Sequence, residues 1–327
     1  MTKHQSMYVH GGIACVLAVV LVFIGISFSS WQFLLTVALA KGMVALGVVL
    51  LLRIGLASFG QGLFYCAGAY SVGMIMAYFG VREIVILLPL AVIFSAVLAW
   101  ILGFMLSRYR EIFFAMLSLA LSMILFGLLV RNPALGGSDG FNVLQPTFLM
   151  NVFGGEGISR QAIFIMVATL SAVVVFFGQL FTRSHAGRLG PAIKDNEVRV
   201  EYLGASSQKN IHLAYTIAGG LAGLGGALSA LTVGHVDPEL AFWTTSGEFV
   251  FIAVLGGVAN AYAPFVGAIV LEFIRSLAYQ YAPNTWQIVM GVSMLALIVF
   301  LPGGLISLRK RLRGKDKNTH DGVQETV

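Results

Sequence analysis

Four ionisable side chains lie inside apolar stretches of the chain, where a charge is costly and often serves a function. They are Lys41, Glu248, Glu272 and Arg275. Glu272 and Arg275 are three residues apart, so they can pair on one helix face. We expect Lys41 to face a water-filled cavity or a partner chain, and Glu248 to lie close enough to an interface to be solvated. All four are candidates for lining the path of a polar solute, and a purely structural Glu272–Arg275 pair is the alternative.

A glycine-rich run between two apolar stretches is the second candidate. Its members are Gly136, Gly137, Ser138, Asp139 and Gly140. These residue types suit a tight turn in which the aspartate bonds nearby backbone amides. The same turn could line an outer gate, where free backbone donors would meet a carboxylate. The sequence leaves both interpretations open.

Residues for bond-making chemistry are not clustered in this sequence. We find no set of metal-ligating side chains, no nucleophile beside a base and no paired carboxylates. Gly314 and Lys315 precede Asp316 and lack the Ser or Thr of a phosphate-binding loop. We therefore expect no enzymatic activity, no metal and no cofactor in this chain, and ATP hydrolysis would belong to other chains. Cys15 and Cys66 lie in apolar surroundings and are expected to pack.

The composition indicates that membrane helices position these residues. Of the 327 residues, 58% are hydrophobic and 10% are charged, against roughly a quarter charged in soluble domains. This excludes a soluble enzyme, a disordered protein and a secreted disulfide scaffold. It predicts an all-α, polytopic transmembrane bundle. The net charge of +6 does not indicate a nucleic-acid partner, because the basic residues are sorted by predicted membrane side.

Ten stretches are candidates for crossing a hydrocarbon core about 30 Å thick. They are 11–28, 31–52, 60–80, 84–106, 111–130, 161–181, 211–234, 245–258, 263–279 and 286–301. The eighth is short and the third begins with a glycine-rich segment, so eight or nine crossings with a re-entrant piece are the alternative. The first is interpreted as a retained helix and not as a cleaved signal. We predict one membrane-spanning unit over 1–308, with an outer loop at 131–160, a cytoplasmic loop at 182–210 and a basic tail at 309–327.

The distribution of basic residues predicts the orientation of the chain. Ten crossings place both termini on one side, and Lys and Arg concentrate on the cytoplasmic side of membrane proteins. Of the 20 Lys and Arg residues, only Arg82, Arg131 and Arg160 fall on the predicted outer side. The predicted cytoplasmic set is Lys3, Arg53, Arg108, Arg110, Arg183, Arg188, Lys194, Arg199, Lys209, Arg309, Lys310, Arg311, Arg313, Lys315 and Lys317. The tail is expected to anchor this topology and to touch anionic lipid.

The cytoplasmic loop has the pattern of a short amphipathic helix from Ala192 to Leu203. Pro191 suits its first turn and Gly204 suits its end. Such a helix either rests on the membrane interface or docks into a groove on a partner. Asp195, Glu197 and Glu201 disfavour contact with anionic headgroups.

One predicted crossing, 211–234, carries a stripe of small residues. The stripe consists of Gly219, Ala222, Gly223, Gly226 and Ala230. Small residues allow two helix backbones to approach closely. We favour static packing over a role in motion for this stripe.

The loop sequence GRLGPAIKDNEVRVEYLG resembles the coupling segment of ABC-importer permeases, and the fit is closest to the permeases for branched-chain amino acids. Four more segments resemble that family in the same order: FGQGLFYCAGAYSVGMI at 59–75, ALGGSDGF at 134–141, IAVLGGVANAYAPFVGAIVLE at 252–272 and LPGGLISL at 301–308. The resemblance covers most of 53–308. Gly190 and Pro191 depart from it, because helix-continuing residues are expected there.

The resemblance implies one half of a pore built from two permease chains, of which the second is expected to be a different chain. Two ATPase subunits would sit beneath the pore, and a periplasmic or extracellular binding protein would deliver the substrate, in a bacterial-type plasma (inner) membrane. The family's ATPase-coupling residues carry over to Asp195, Asn196, Glu197, Glu201 and Gly204. Closure of the ATPases would pull on this helix and switch the spans between two packed arrangements.

The substrates implied by the resemblance are leucine, isoleucine and valine. Permeases for urea, other amides or small carboxylates are the nearest alternatives. An ion-coupled secondary transporter with broken helices is a different class of alternative, and a membrane enzyme or scaffold is another. The groups that select the substrate would lie largely on the binding protein.

Overall fold

The computed structural model describes residues 31–147 and 159–300, which fold into a bundle of helices. The helices are α1 (Gln32–Leu52), α2 (Gln61–Phe79), α3 (Ile84–Leu106), α4 (Glu111–Val130), α5 (Arg160–Arg183), α6 (His185–Tyr202), α7 (Ser207–Val233), α8 (Trp243–Gly256), α9 (Ala263–Tyr281) and α10 (Trp286–Phe300). In the described part of the chain, six helices, α1 to α5 and α7, are long and apolar enough to cross a membrane. The chain is therefore an all-α, multi-pass membrane protein, while the count of ten crossings and the side of the termini stay predictions.

The helix bounds follow the predicted crossings closely. Helices α3 and α4 have the predicted bounds, and α1 and α2 begin one residue later than predicted. Hydropathy finds these helices because bilayer-spanning segments must be continuously apolar. The predicted crossing at 11–28 and the basic tail at 309–327 lie outside the described residues.

Helix α7 packs against α1, α2 and α3, and its glycines set how closely they approach. A Cβ added to Gly226 would collide with the Tyr65 carbonyl of α2, and one added to Gly223 would collide with Ser95 of α3. Gly225 lies against α1 in the same way. The prediction that the small-residue stripe packs closely is confirmed.

The packed residue pairs also give the direction of each neighbour. The pairs are Gly47 with Ala218 and Ala40 with Gly225 for α1, Gly103 with Tyr215 and Ser95 with Gly223 for α3, and Phe64 with Gly219 and Gly68 with Gly223 for α2. Helices α1 and α3 therefore run antiparallel to α7, and α2 runs parallel to it. Helices α1, α2 and α3 follow one another along the chain, and consecutive membrane crossings must alternate in direction in this way.

The described bundle has two distinct ends. At the strand end, β1 (Phe141–Asn142) pairs antiparallel with β2 (His235–Val236), and the Thr147 hydroxyl donates to the Glu83 carboxylate at 2.8 Å. Helix α6 lies at the opposite end, because the 27 residues of α7 separate it from β2. We call this the α6 end.

The chain between α1 and α2 turns back into the bundle before α2 begins. There the backbone N–H of Phe59 donates to the Ser118 hydroxyl at 3.1 Å. Ser118 lies near the middle of α4, so α2 starts inside the bundle and not at its surface. This matches the glycine-rich irregularity predicted for the third crossing.

A second interruption reaches the same depth from the strand end. After β2, a 3₁₀ turn at Pro238–Ala241 enters the bundle, and the Ser122 hydroxyl of α4 donates to the Ala241 carbonyl at 2.7 Å. Helix α8 follows with only 14 residues. Its Ser246 hydroxyl accepts a hydrogen bond from the Gly62 N–H of α2 at 2.9 Å. The predicted eighth crossing is therefore a short helix after non-helical chain, as in the re-entrant alternative.

Candidate translocation and coupling sites

Lys41, Glu248, Glu272 and Arg275 form one ion-pair cluster between α1, α8 and α9. The Lys41 ammonium lies 2.9 Å from a carboxylate oxygen of Glu248 and 2.6 Å from one of Glu272. The Arg275 guanidinium lies 2.6 Å from Glu248 and 3.0 Å from Glu272. Two cations thus face two carboxylates, and the cluster is neutral as a whole. Mutual attraction and hydrogen bonds offset the cost of removing these charges from water.

The cluster confirms one sequence prediction and corrects two others. Glu272 and Arg275 pair as their spacing predicted. Lys41 was expected to face a wet cavity or a partner chain and Glu248 to be solvated, yet their side chains are 10% and 15% exposed and bonded to each other. The two expectations are wrong because residue spacing within one helix carries no information about which helices meet. That the four residues line a transport path stays a prediction.

Helix α6 is broken into two parts at Asn196, whose backbone is extended (φ −162°, ψ 100°). The Asn196 side-chain oxygen accepts a hydrogen bond from the Arg199 N–H at 2.8 Å, which caps the second part. The first part begins at His185, where the Ser184 hydroxyl provides the cap. The single helix predicted from Ala192 to Leu203 is therefore wrong, and Pro191 lies within the first part and not at a helix start.

Arg110, at the start of α4, holds the second part of α6 through Glu197. Its Nε and Nη2 atoms donate to the two Glu197 carboxylate oxygens at 2.8 and 2.6 Å. The hydrogen bond from Arg110 holds the pKa of Glu197 below its ordinary value. Glu111, the next residue, has a left-handed backbone (φ 49°), which is strained for a residue other than glycine. The second part of α6 is thus tied to α4 next to a strained residue.

We expect Arg110→Ala and Glu197→Ala to show a coupling energy of about 0.5–1 kcal/mol in a double-mutant cycle at pH 7. The value is small because both side chains are 30% exposed. The folded pKa of Glu197 is lowered, so the pair stabilises the protein above the unfolded pKa, near 4.3, and this stabilisation is lost as the pH falls through the folded value. Unfolding measured at pH 7 and at about pH 3 checks this, and equal coupling at both would contradict it.

The second part of α6 presents an apolar surface. Val198, Tyr202 and Leu203 are 62%, 88% and 81% exposed, and we call them the coupling surface. Ile193 and Val200 instead turn inward and are buried. Leu203, which was expected to share a face with these two, is exposed, and it lies just past Tyr202, the last residue of the helix.

The remaining residues carried over as ATPase-coupling candidates surround the coupling surface. Asp195, Asn196 and Glu201 are exposed. Gly204 has φ of 85° and ends the segment, as glycine does after many helices. Glu197 differs from them, because Arg110 already binds it. Their role in coupling stays a prediction.

The sequence matches the model of a protein family described as the permease component of branched-chain amino acid transport systems, over residues 30–298. The chain belongs to this family. The matched range contains the ion-pair cluster, the broken helix α6 and both interruptions inside the bundle. The resemblance drawn from the motifs is confirmed.

Individual relatives in the permease family carry the same description. Two are named high-affinity branched-chain amino acid transport system permease protein LivM, from Salmonella typhimurium and Escherichia coli. Each is 29% identical over 278 residues, which cover 78% of this chain and 65% of the relative. The chain thus spans slightly less than two thirds of the LivM length. BraD of Pseudomonas aeruginosa is 25% identical over 288 residues, covering 83% of this chain and 93% of the relative. No solved structure matches the chain significantly.

In this member of the permease family, the glycine-rich loop that was predicted to be outer is a tight turn at the strand end. Gly136, Gly137 and Gly140 all have positive φ angles of 89°, 57° and 68°. The Ser138 hydroxyl donates to Asp139 at 2.9 Å, and the pair is exposed. Asp139 therefore accepts from a side chain, whereas backbone amides were expected. The gate role of this loop stays a prediction.

Gln61, the first residue of α2, was not among the predicted site residues. The residue is 0% exposed, and neither atom of its side-chain amide has a hydrogen-bond partner among the described residues. A usable signal was present, because an amide between two glycines opens an otherwise apolar predicted crossing. Arg110 was counted only as a topological charge, and its bond to Glu197 gave no sequence signal.

Proposed function

We propose that this chain is the membrane-spanning permease subunit of an ATP-driven importer of branched-chain amino acids in a bacterial-type inner membrane. It works beside a second permease chain, with two ATPase subunits at the α6 end and a substrate-binding protein at the strand end. The 1–308 unit crosses the membrane, and the basic tail holds the cytoplasmic side. Family membership supports the transport role, and the names of the LivM and BraD relatives support the substrate class.

The observation that carries the ATPase partnership is the coupling surface. Val198, Tyr202 and Leu203 stand exposed on a short element outside the apolar helices, among charged side chains. Large exposed apolar residues grouped on one element mark a protein or membrane contact. Asp195 and Glu201, which are exposed beside them, disfavour anionic lipid and favour a groove on a protein partner.

The test is a double substitution on the coupling surface, Tyr202→Asp with Leu203→Asp. Both side chains are exposed, so the fold of the permease is expected to be retained. The ATPase subunits of the importer are expected to co-purify with the unchanged permease but not with the variant. ATP-dependent leucine uptake into vesicles that contain the binding protein is expected to fall to background.

The matched control is Tyr281→Asp, which changes an equally exposed aromatic residue (79% exposed) at the C-terminal end of α9. It is expected to retain ATPase binding and uptake. Leucine uptake by the permease alone under an ion gradient would overturn the proposal in favour of a secondary transporter. If the double variant captured the ATPase subunits as well as the unchanged chain does, the coupling surface would not be the contact with the ATPase.

A further inference from the structure

Gln61 belongs neither to the ion-pair cluster nor to the coupling surface, yet it is a buried polar side chain. A buried amide normally has hydrogen-bond partners, because leaving donors and acceptors unpaired away from water is costly. Gln61 is completely buried, and within the part of the chain that the structure describes both of its amide atoms lack a hydrogen-bond partner. Replacing it by an apolar residue would relieve this cost, so stability of this arrangement does not explain a glutamine here.

Gln61 lies where the N-terminus of a helix is buried inside the bundle. It opens the 19-residue helix α2, and helix N-termini attract carboxylates through their N–H groups and dipole. The Ser246 hydroxyl already caps the Gly62 N–H. Both neighbouring glycines are closely packed. A Cβ added to Gly62 would lie 3.0 Å from the Leu240 carbonyl oxygen, and one added to Gly60 would lie 2.9 Å from the Ser118 carbonyl oxygen.

Both interruptions of the helices meet at this point. The turn before α2 and the 3₁₀ turn before α8 are held together through Ser118, Ser122 and Ser246. Non-helical backbone at membrane depth is tolerated where it is buried in protein or lines a cavity, and broken helices in transporters hold charged groups of the substrate. Gly60 and Gly62 are tightly packed here, so a substrate reaches Gln61 only when the two interruptions separate.

We propose that Gln61 and the N-terminus of α2 bind the zwitterionic head group of an α-amino acid during its passage. The Gln61 amide nitrogen donates to the carboxylate, which the positive end of the α2 dipole also attracts, and the Gln61 side-chain oxygen accepts from the ammonium. This inference rests on the proposed function and specifies the part of the substrate that the membrane path recognises. We do not assign this role to the ion-pair cluster, because its two cations and two carboxylates are already paired with each other.

The experiment uses the full transporter with its ATPase and binding protein, reconstituted in vesicles, and radiolabelled L-leucine as the probe. Gln61→Leu is expected to lower leucine uptake about 10- to 100-fold, the effect of losing a hydrogen bond to a charged group. ATP hydrolysis and subunit assembly are expected to persist. Gln61→Glu is expected to fail as severely, because its carboxylate would repel that of leucine.

The control is Tyr70→Phe, which removes from the same helix a buried hydroxyl that also lacks a hydrogen-bond partner among residues 31–147 and 159–300. It is expected to leave uptake unchanged. Uptake by Gln61→Leu within twofold of the unchanged protein would overturn the inference, and the amide would then hold ordered water only. Full uptake by Gln61→Glu would overturn the carboxylate contact.

Two further outcomes are decisive. If Gln61→Leu fails to assemble, Gln61→Met, a flexible side chain of the same length, replaces it under the same criterion. If neither assembles, Gln61 is a packing residue and the inference is wrong. Failure of the proposed function is separate from all of these, because the unchanged transporter itself would then show no ATP-dependent leucine uptake.

Discussion

Lys41→Met is expected to lower the free energy of unfolding by about 3–5 kcal/mol, the usual cost of removing one partner from a buried ion pair. Lys41 bonds Glu248 at 2.9 Å and Glu272 at 2.6 Å, and its side chain is 10% exposed. Methionine fills similar volume, so the loss reports charge and not a cavity. Two carboxylates would then share the single cation of Arg275. Unfolding of the purified protein in mixed detergent micelles measures the effect.

Two companion variants separate this prediction from a general sensitivity of the bundle. Adding Glu272→Gln to Lys41→Met is expected to recover much of the loss, because the remaining Glu248–Arg275 pair, at 2.6 Å, is neutral. Lys209→Met, at an exposed lysine, is expected to change stability by less than about 0.5 kcal/mol. A loss in Lys41→Met as small as that in Lys209→Met would show that the cluster does not hold α1, α8 and α9 together.

The sequence predicted those parts of the molecule that depend on local composition. The bounds of α3 and α4 follow from continuous apolar character, and the Glu272–Arg275 pair follows from helical spacing. The partners of Lys41 did not follow, because α1 is separated from α8 by 190 residues and no local pattern encodes that contact. The depth of the two interruptions was likewise hidden, since serine hydroxyls such as Ser118 and Ser122 are ordinary in apolar helices.

Helix α6 shows how one side chain, that of Asn196, can interrupt a helix that the apolar spacing predicts. Apolar spacing predicted one helix containing Ile193, Val200 and Leu203. Asn196 instead leaves helical geometry, and its side-chain oxygen caps a new turn. Asn side chains often bond nearby backbone N–H groups in this way, which competes with continuation of the helix. Ile193 and Val200 are buried on either side of this break, as their spacing predicted, while Leu203 lies just past the helix end and is exposed. The pattern thus predicted the two buried residues, but it predicted neither the break nor the exposed end.

Gly226→Ala is expected to destabilise the protein by about 1–3 kcal/mol or more, as overpacking does in tightly packed interiors. The new methyl group would overlap the Tyr65 carbonyl oxygen of α2 and lie 2.7 Å from its carbonyl carbon. These are backbone atoms that no side-chain rotation can move. Relief requires α2 and α7 to separate, and both helices also contact α3. The same unfolding measurement in micelles checks the value.

Gly220→Ala on the same helix makes the prediction specific to position. Its methyl group would meet Ala96 at 3.5 Å and Val92 at 3.8 Å, which is ordinary van der Waals contact. Alanine favours a helix over glycine by up to about 1 kcal/mol, so this variant is expected to be neutral or more stable. Equal behaviour of the two variants would contradict the prediction. A loss of stability confined to the Gly226 variant would show that the close contact between α2 and α7 at this position stabilises the bundle.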